Sequence, residues 1–464
     1  MKKIYALFIL ISAVCHAQKE NNIWYFGNKA GLDFNSGSPV SLNNSAMYTG
    51  EPSASMADSN GDLLFYTDGI TVWNKNHIAM PNGNGLHGQL SVTQGALIMK
   101  KPGALNIYYI FTNHGIYNIT NPYGLQYSEV DMGLEGGNGD ITMKNVPIIA
   151  LTTEKLGAIM INTTDYWIIT HGKANNFFYA YRVTSAGIDS TPVTTPIGSV
   201  TTGLDGQYSG QLKISPNGTN IVACNGSMGV ELFDFDITTG ILSNEKTLYT
   251  GPEQYGVEFS ASGKMLYASI NGRKLLQFNV MASDVAASVS VIEDTDPEGY
   301  GFFYGMQLAT DGKIYIVGVQ SHKMSVINNP EISGAGCNAA IETLDLGLGT
   351  GSFGLPTFCA TPFYRAYTHV DSEPPATAFN DIPKGISPNG DLFNETFNLS
   401  GMDVIHITVF NRYGMEVYSR SNYINEWHGQ DSNDNNLPSG TYYYYVQTPS
   451  FAKTGWVYVN RESD

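Results

Sequence analysis

The sequence predicts an all-β protein, with a seven-bladed β-propeller followed by a small β-sandwich of the Ig-like kind. Three observations lead to this prediction. Charged residues are only 14% of the 464 residues while Gly and Tyr are abundant, which disfavours helices and favours strands and tight turns. A strand–turn–strand unit recurs along residues 22–360. After Ala360 the composition changes, and a different set of short strands follows.

The first residues are typical of a secretory signal peptide, which we predict over residues 1–17. Two lysines precede an apolar run from Ile4 to Val14, and Cys15-His16-Ala17 then offers a cleavage site. Such a run is too short for a bilayer, which needs about 20 residues. Lipidation of Cys15 is the alternative. We expect no membrane-spanning segment further along the chain.

One unit recurs six times, and each copy has an apolar strand, a polar turn, a second strand and a turn that ends in Gly. The copies begin at Ser53, Gly95, Gly157, Gly210, Gly256 and Tyr304. A seventh copy is split between the two ends of residues 22–360. Joining Gly354–Ala360 to Ile23–Phe34 would complete it and leave no exposed sheet edge. The repeat is then about 48 residues long, within the ~40–50 of propeller blades.

The blade number has alternatives, because two stretches are long for single connections between blades. These stretches are Val130–Ala158 and Thr184–Tyr208, and they leave six or eight blades open. We assign residues 22–362 to the propeller and residues 363–381 to a Pro-rich linker.

Residues 382–464 form a separate domain that carries five motifs in order. They are ISPNGDLFNETFNL from Ile386, VFNRYGMEVY from Val409, WHG from Trp427, LPSGTYYYYV from Leu437 and GWVYVNR from Gly455. In this order they resemble the gliding-motility-associated C-terminal domain, the type B sorting domain of the Bacteroidota type IX secretion system. The matching positions are Pro388, Asn389, Gly390, Asp391, Asn411, Arg412, Gly414, Trp427, Gly440, Thr441, Tyr442 and Arg461.

This resemblance implies that the type IX secretion machinery is a partner. It also implies that the chain is cargo, carried to the outer-membrane surface or beyond it. The first half, with NIWYFGNKAGLDFN from Asn22 and LLFYTDGITVWNKN from Leu63, also resembles uncharacterised propellers that often precede this domain. That resemblance implies no activity.

Three cysteines follow residues 1–17. An exported chain can form disulfides, and a Cys337–Cys359 bond is one possibility, which would leave Cys224 over. The alternative is three buried thiols that pack as apolar residues.

The net charge of −17 would repel a duplex or an anionic membrane surface. We therefore expect no nucleic-acid partner.

The turns between the second and third strands carry the candidate ligand-binding residues. In a propeller these turns lie at the same end as the connections between blades, so their polar side chains could bind a sugar or a peptide. The candidates are Asp68, His114, His171, Asn225, Asn271 and His322. The alternative is that Asn-Gly and Asp-Gly only satisfy the needs of a two-residue hairpin turn.

Metal, cofactor and catalytic motifs are weak. Asp58 and Asp431 each begin an Asp-x-Asn-x-Asp/Asn run, but both runs lack the later Gly and Glu of a calcium loop. No His-Glu-x-x-His or Gly-x-Ser-x-Gly occurs. We expect no metal, no cofactor and no catalytic residues.

The favoured function is binding of an extracellular protein or glycan. A structural or adhesive role linked to gliding is the alternative, and a polysaccharide hydrolase or lyase comes third.

Overall fold

The computed structural model describes residues 19–115, 123–162, 164–201, 206–251, 253–295, 301–360, 382–389, 394–399, 404–413, 415–421, 423–448 and 452–461. The chain divides into two compact units, residues 1–368 and 369–464. The described residues contain no α-helix. Four short 3₁₀ helices occur, at Lys19–Asn21, Glu135–Gly137, Ala286–Ser288 and Gly334–Cys337. The predicted signal peptide and linker lie outside the described residues.

Seven antiparallel sheets form the first unit, and we number them as blades in chain order. Blade 1 has three strands, Ile23–Phe26, Ala30–Asp33 and Val40–Leu42. Blade 2 contains Ala54–Ala57, Leu63–Thr67, Thr71–Asn74 and Ala79–Asn84. Blade 3 contains Ala96–Lys100, Ile107–Asn113, Leu125–Asp131 and Asp140–Ile149. Blade 4 contains Thr152–Met160, Tyr166–Gly172, Phe177–Thr184, Gly187–Ile188 and Val193–Pro196.

The last three blades have four strands each. Blade 5 contains Leu212–Ile214, Asn220–Cys224, Val230–Asp236 and Ile241–Tyr249. Blade 6 contains Gln254–Phe259, Met265–Ile270, Lys274–Asn279 and Ser290–Asp294. Blade 7 contains Met306–Leu308, Ile314–Val317, Lys323–Ile327 and Ala339–Asp345.

The first strands of blades 2 to 7 surround a common axis, and each of those in blades 2 to 6 contacts the first strand of the next blade. Apolar clusters fill the space between neighbouring blades. This is the architecture of a β-propeller. The prediction of an all-β chain with a seven-bladed propeller is confirmed. The two long stretches become long or divided outer strands, in blade 3 and blade 4, and not an additional blade.

Two glutamine side chains near the central axis form hydrogen bonds to the inner strands of other blades. The Gln94 amide accepts a bond from Leu212 N at 2.7 Å and donates to Leu212 O at 2.9 Å. The Gln211 amide does the same with Met306, at 3.0 and 3.2 Å. These bonds join blade 5 to the segment before blade 3 and to blade 7.

Replacing the Gln94 side chain should weaken the whole ring. A Gln94→Leu variant keeps the volume but leaves the buried N–H and C=O of Leu212 without this partner. We expect the free energy of unfolding to fall by about 2–4 kcal/mol. Urea unfolding of the full chain measures this loss, and an unchanged midpoint would show that the axis does not depend on the amide.

The seventh copy closes differently from the prediction. Blade 1 has three strands, and Gly354–Cys359 forms no strand in its sheet. Pro356 has no N–H to donate to a sheet. The segment instead crosses the axis to blade 4, where Ala360 N donates to Ala158 O at 2.8 Å and Ala360 O accepts from Met160 N at 3.0 Å.

Loop contacts close the ring between blade 7 and blade 1. Asn28 and Thr350 exchange two backbone bonds, of 2.9 and 3.1 Å. The Asn43 side chain accepts from Leu348 N and Gly349 N. Leu355 is buried against the cluster of blades 7 and 1. The terminal segment therefore packs where the missing strand would lie, but it does not pair as one.

The possible Cys337–Cys359 disulfide is not formed, because all three described cysteines are free thiols. Cys337 lies in the apolar cluster of blades 6 and 7. Cys359 packs against the cluster of blades 3 and 4. Burial raises the pKa of Cys224 and of Cys359 to about 12, so both thiols remain protonated and unreactive.

The second unit is β-rich, as predicted. Its described residues form one five-stranded sheet, in the order Gly385–Ile386, Ala452–Val459, Gly440–Gln447, His406–Phe410 and Glu416–Ser421. The first of these strands pairs in parallel, and the others are antiparallel. Phe397, Leu399 and the fully buried Trp427 belong to the apolar core of this unit.

Candidate functional site

The turns that carry the predicted ligand residues lie against the segments that lead into the next blade. Gly226 forms a bridge with Gln254, and Gly272 forms one with Phe303. A Cβ added at Gly69 would lie 3.1 Å from Gly95 O. The turns and these segments therefore share one end of the ring, which we call the mouth.

Three of the six predicted residues are buried, and two of them, Asp68 and Asn225, form hydrogen bonds within their own hairpins. The Asp68 carboxylate accepts bonds from Ile70 N and Thr71 N. The Asn225 amide donates to the Glu231 carboxylate at 2.6 Å. His171 is only 2% exposed, and burial and the nearby Lys155 charge lower its pKa to about 3, so the ring is neutral.

The other three candidates have exposed surface but belong to different blades. His114 is partly exposed, and its ring lies edge-on to Tyr123. Asn271 is exposed in a left-handed turn conformation. The exposed His322 ring has Nδ1 2.8 Å from Gly349 O. No hydrogen bond or ring contact links any two of the six within the described chain. Their role as a shared ligand site remains a prediction.

Three aromatic rings meet in the mouth, and none of them is among the six residues predicted from the turn pattern. Tyr255, Tyr304 and Phe353 each stand before a glycine, and their ring centroids are 4.9–6.1 Å apart. Each ring is partly exposed. We call these three residues the aromatic trio. Aromatic-Gly in three successive copies was the sequence signal that could have found them.

Glycine follows each ring because the backbones converge on the axis. A Cβ at Gly256 would collide with the Tyr304 carbonyl oxygen, and one at Gly354 with that of Glu51. The side chains of the trio are thus held beside one another by a constraint on the backbone.

Two carboxyl groups border the trio. The Tyr255 hydroxyl donates to Glu51 at 2.6 Å, and Ser91 donates to the other Glu51 oxygen. Thr93 donates to Glu154 from its N–H and from its hydroxyl, at 3.0 and 2.7 Å. Glu51 is partly exposed, whereas Glu154 is buried. Glu51 is therefore the more accessible residue of the two.

Burial shifts the pKa of Glu51, Glu154 and Lys155 towards their neutral forms. Burial, with a contribution from the Glu51 charge, raises the pKa of Glu154 to about 7. Burial likewise raises the pKa of Glu51. Burial lowers the pKa of Lys155 to about 8, and its ammonium donates to Ser209 O at 3.1 Å. Such shifts are common at functional sites, although they also occur in structural networks.

A cavity on the axis is lined by Lys213, Glu258 and Gln307 together with the crossing segment 357–360. Lys213 and Glu258 neutralise each other in a buried ion pair of 2.8 Å. Glu258 also accepts from Leu308 N. The polar groups of this cavity are thus satisfied by the fold.

The aspartates that begin the calcium-like runs hold hairpin turns. The Asp58 carboxylate accepts from Asn60 N and Asp62 N, and Asp431 does the same for Asn433 and Asn435. Within the described ranges, no group of three or more His, Cys, Asp or Glu residues could hold a metal ion.

The terminal motif residues that the structure describes hold the second unit together. Asn411 accepts from Tyr413 N and Met415 N. The Arg461 guanidinium donates to the carbonyl oxygens of Leu437, His428 and Gly429. Gly390, Asp391 and Gly414 lie outside the described residues.

Residues 380–459 match the family model of the CHU_C type IX secretion signal domain. The C-terminal domain is a type IX secretion signal domain. The chain is thus cargo that the secretion machinery recognises and exports to the cell surface or the extracellular space. No helix in the described part of the chain is long and apolar enough to cross a membrane.

Comparison with other proteins adds little beyond this domain. No curated protein matches the chain. A candidate 6-phosphogluconolactonase from Bacteroides fragilis is 10% identical with a TM-score of 0.40, over 86% of this chain and 92% of that one. A quinoprotein alcohol dehydrogenase-like protein from Bacteroides thetaiotaomicron is 10% identical with a TM-score of 0.39, over 67% and 73%. The Cps50 (Swd1) propeller domain of Myceliophteria thermophila is 11% identical with a TM-score of 0.39, over 68% and 92%. No conclusion about function follows from likenesses this low.

Proposed function

We propose that this chain is an exported propeller protein that binds an extracellular protein or glycan at its mouth. We also propose that residues 1–17 are the signal peptide that takes it across the inner membrane. The observation that supports the binding role most strongly is the aromatic trio beside the Glu51 carboxylate. Rigid, partly exposed Tyr rings provide apolar contact area at low entropic cost, and a nearby carboxylate accepts hydrogen bonds.

Such a site suits a ligand with one flat apolar face and hydroxyl or amide donors at its edge. A sugar ring has this character, and so does a side chain that projects from a protein loop. The Glu51 oxygens already accept from Tyr255 and Ser91, which fixes the carboxylate in one orientation. Preorganisation of this kind lowers the cost of binding.

Replacing one ring of the trio should abolish most of the binding. We expect Tyr304→Ala to weaken binding at least tenfold, because it removes a central aromatic contact. An oligosaccharide array and a panel of purified extracellular proteins, probed with the full chain, provide the ligands. Tyr48→Ala is the matched control, since Tyr48 is 71% exposed and outside the trio. Equal binding by Tyr304→Ala and the unaltered chain would contradict the proposed site.

Glycoside cleavage is a second candidate function, and the carboxyl pair favours it. Glu51 and Glu154 both have raised pKa values, and the Glu51 charge contributes to the shift at Glu154. A raised-pKa acid beside a second carboxylate is the arrangement that glycosidases use. Against it, the Glu154 carboxyl is buried and bonded to Thr93. Release of reducing ends from a polysaccharide panel, lost in Glu51→Gln, would favour this candidate over binding alone.

A further inference from the structure

An aromatic surface covers the outer face of the sheet in the secretion signal domain. Tyr443 lies opposite Trp456 in the strand pairing, and Tyr458 lies two residues further on. These side chains are 49%, 46% and 45% exposed, whereas Tyr442 and Tyr444 point into the core. The Lys384 ammonium lies 5.8 Å from the centre of the Trp456 ring. We call Tyr443, Trp456 and Tyr458 the aromatic stripe.

The stripe is not needed to build the domain. The apolar core lies on the opposite face of the sheet, around Trp427 and Val457. The described motif residues form hydrogen bonds within the domain. Arg461 donates to three carbonyl oxygens, and the Asn411 side chain accepts a bond that stabilises a turn. The described motif residues therefore stabilise the fold of the domain. The secretion machinery must recognise other residues, on the surface of the domain.

The charge of the outer face is unusual for this chain. The three central strands, Ala452–Val459, Gly440–Gln447 and His406–Phe410, contain no Asp or Glu, although the chain has 41 acidic and 24 basic residues. Phe410 lies opposite Tyr443 and continues the apolar surface, and the exposed Glu416 lies opposite Phe410 on the edge strand. Lys384 adds a positive charge at its edge. Large exposed aromatic patches of this kind mark interaction sites, and Tyr and Trp are enriched where binding energy concentrates.

We propose that the aromatic stripe is the surface by which a protein component of the type IX secretion machinery recognises this domain. The component would offer an apolar groove for Tyr443 and Trp456 and a carboxylate near Lys384. A signal domain has to be read by a protein receptor, and among the described residues this face combines exposed aromatic side chains with central strands that carry no acidic residue. A second copy of this chain, or a glycan, would be the occupant if the tests below fail.

The test is export of the full chain from its native cell. A Tyr443→Ser/Trp456→Ser double variant should fold, with a melting temperature close to that of the unaltered protein. Its extracellular level should drop at least tenfold, with folded protein retained inside the outer membrane. Ile424→Ser is the matched control, because Ile424 is 76% exposed in the same domain but outside the stripe. That variant should be exported normally.

Lys384→Glu provides an independent variant that leaves the aromatic side chains in place. Reversing this charge should reduce export several-fold even if the double variant proves unstable. Normal export of either stable variant at the unaltered level would overturn the proposal. So would sedimentation data in which the unaltered chain is a dimer and the double variant is a monomer that is still exported. Ligand binding at the mouth should be unchanged in these variants, so failure here is distinct from failure of the proposed binding site.

Discussion

A chain that ends at Phe379 should fold its propeller and yet remain inside the cell envelope. The described contacts that hold the blades and the ring together lie within residues 19–360. Removing the signal domain therefore leaves the fold intact but removes the part that the secretion machinery reads. We expect the extracellular level to fall at least fiftyfold, with a protease-resistant propeller in the periplasm.

Immunoblots of periplasmic, surface and medium fractions measure this change. The control is the full chain with Ile424→Ser, which alters the signal domain without removing it. Export of the truncated chain at the normal level would show that the terminal domain is adhesive or structural and not an address.

Glu154→Gln should change how stability depends on pH. The folded-state pKa of Glu154 is raised to about 7 from an ordinary value of 4.5, because the carboxyl is buried beside Glu51. A raised carboxyl pKa contributes stability that is complete below the unfolded-state pKa and is lost as pH rises through the folded-state pKa. Glutamine cannot ionise, and its oxygen still accepts from Thr93.

The difference in unfolding free energy between the variant and the unaltered protein should therefore increase from pH 5 to pH 8, by about 1–3 kcal/mol. His171 acts in the opposite direction, since its lowered pKa costs stability as pH falls below 6.5, but it is present in both proteins and cancels. Urea titrations at both pH values measure the difference. A difference that stays constant with pH would mean that Glu154 is not protonated in the folded chain.

The blade count could be predicted from the sequence because the repeat has a period and turn residues mark each unit. The way the ring closes at blade 1 could not be predicted. The partner of the segment that follows Phe353 depends on which strand lies nearest to it in the folded ring. Pro356 argues against an inner strand here, because a residue without an N–H cannot donate a hydrogen bond to a neighbouring strand. The segment crosses the axis instead.

The candidate site illustrates a different limit. The pattern of turn residues locates the mouth correctly, but it does not tell whether a polar side chain points outward or holds its own turn. Asp68 and Asn225 do the latter, and His171 is buried against Phe178. Glu51 and Glu154 are far apart in sequence and meet only because blades 2 and 4 converge on the axis.

The terminal domain was predictable from its motifs, because Trp427, Arg461 and Asn411 occupy positions that the fold requires. The aromatic stripe was visible only as a run of tyrosines, since the strand register decides which of them are exposed. Tyr443 and Tyr444 are neighbours in sequence but lie on opposite faces of the sheet.

The central claim is that the terminal domain is an address and the propeller is its cargo. Its most direct test attaches residues 380–464 to a foreign protein that a signal peptide delivers to the periplasm of the native cell. The fusion should reach the surface or the medium, whereas the same fusion with Tyr443→Ser/Trp456→Ser should stay in the periplasm in folded form. A folded, unaltered fusion that remains entirely in the periplasm would contradict the account.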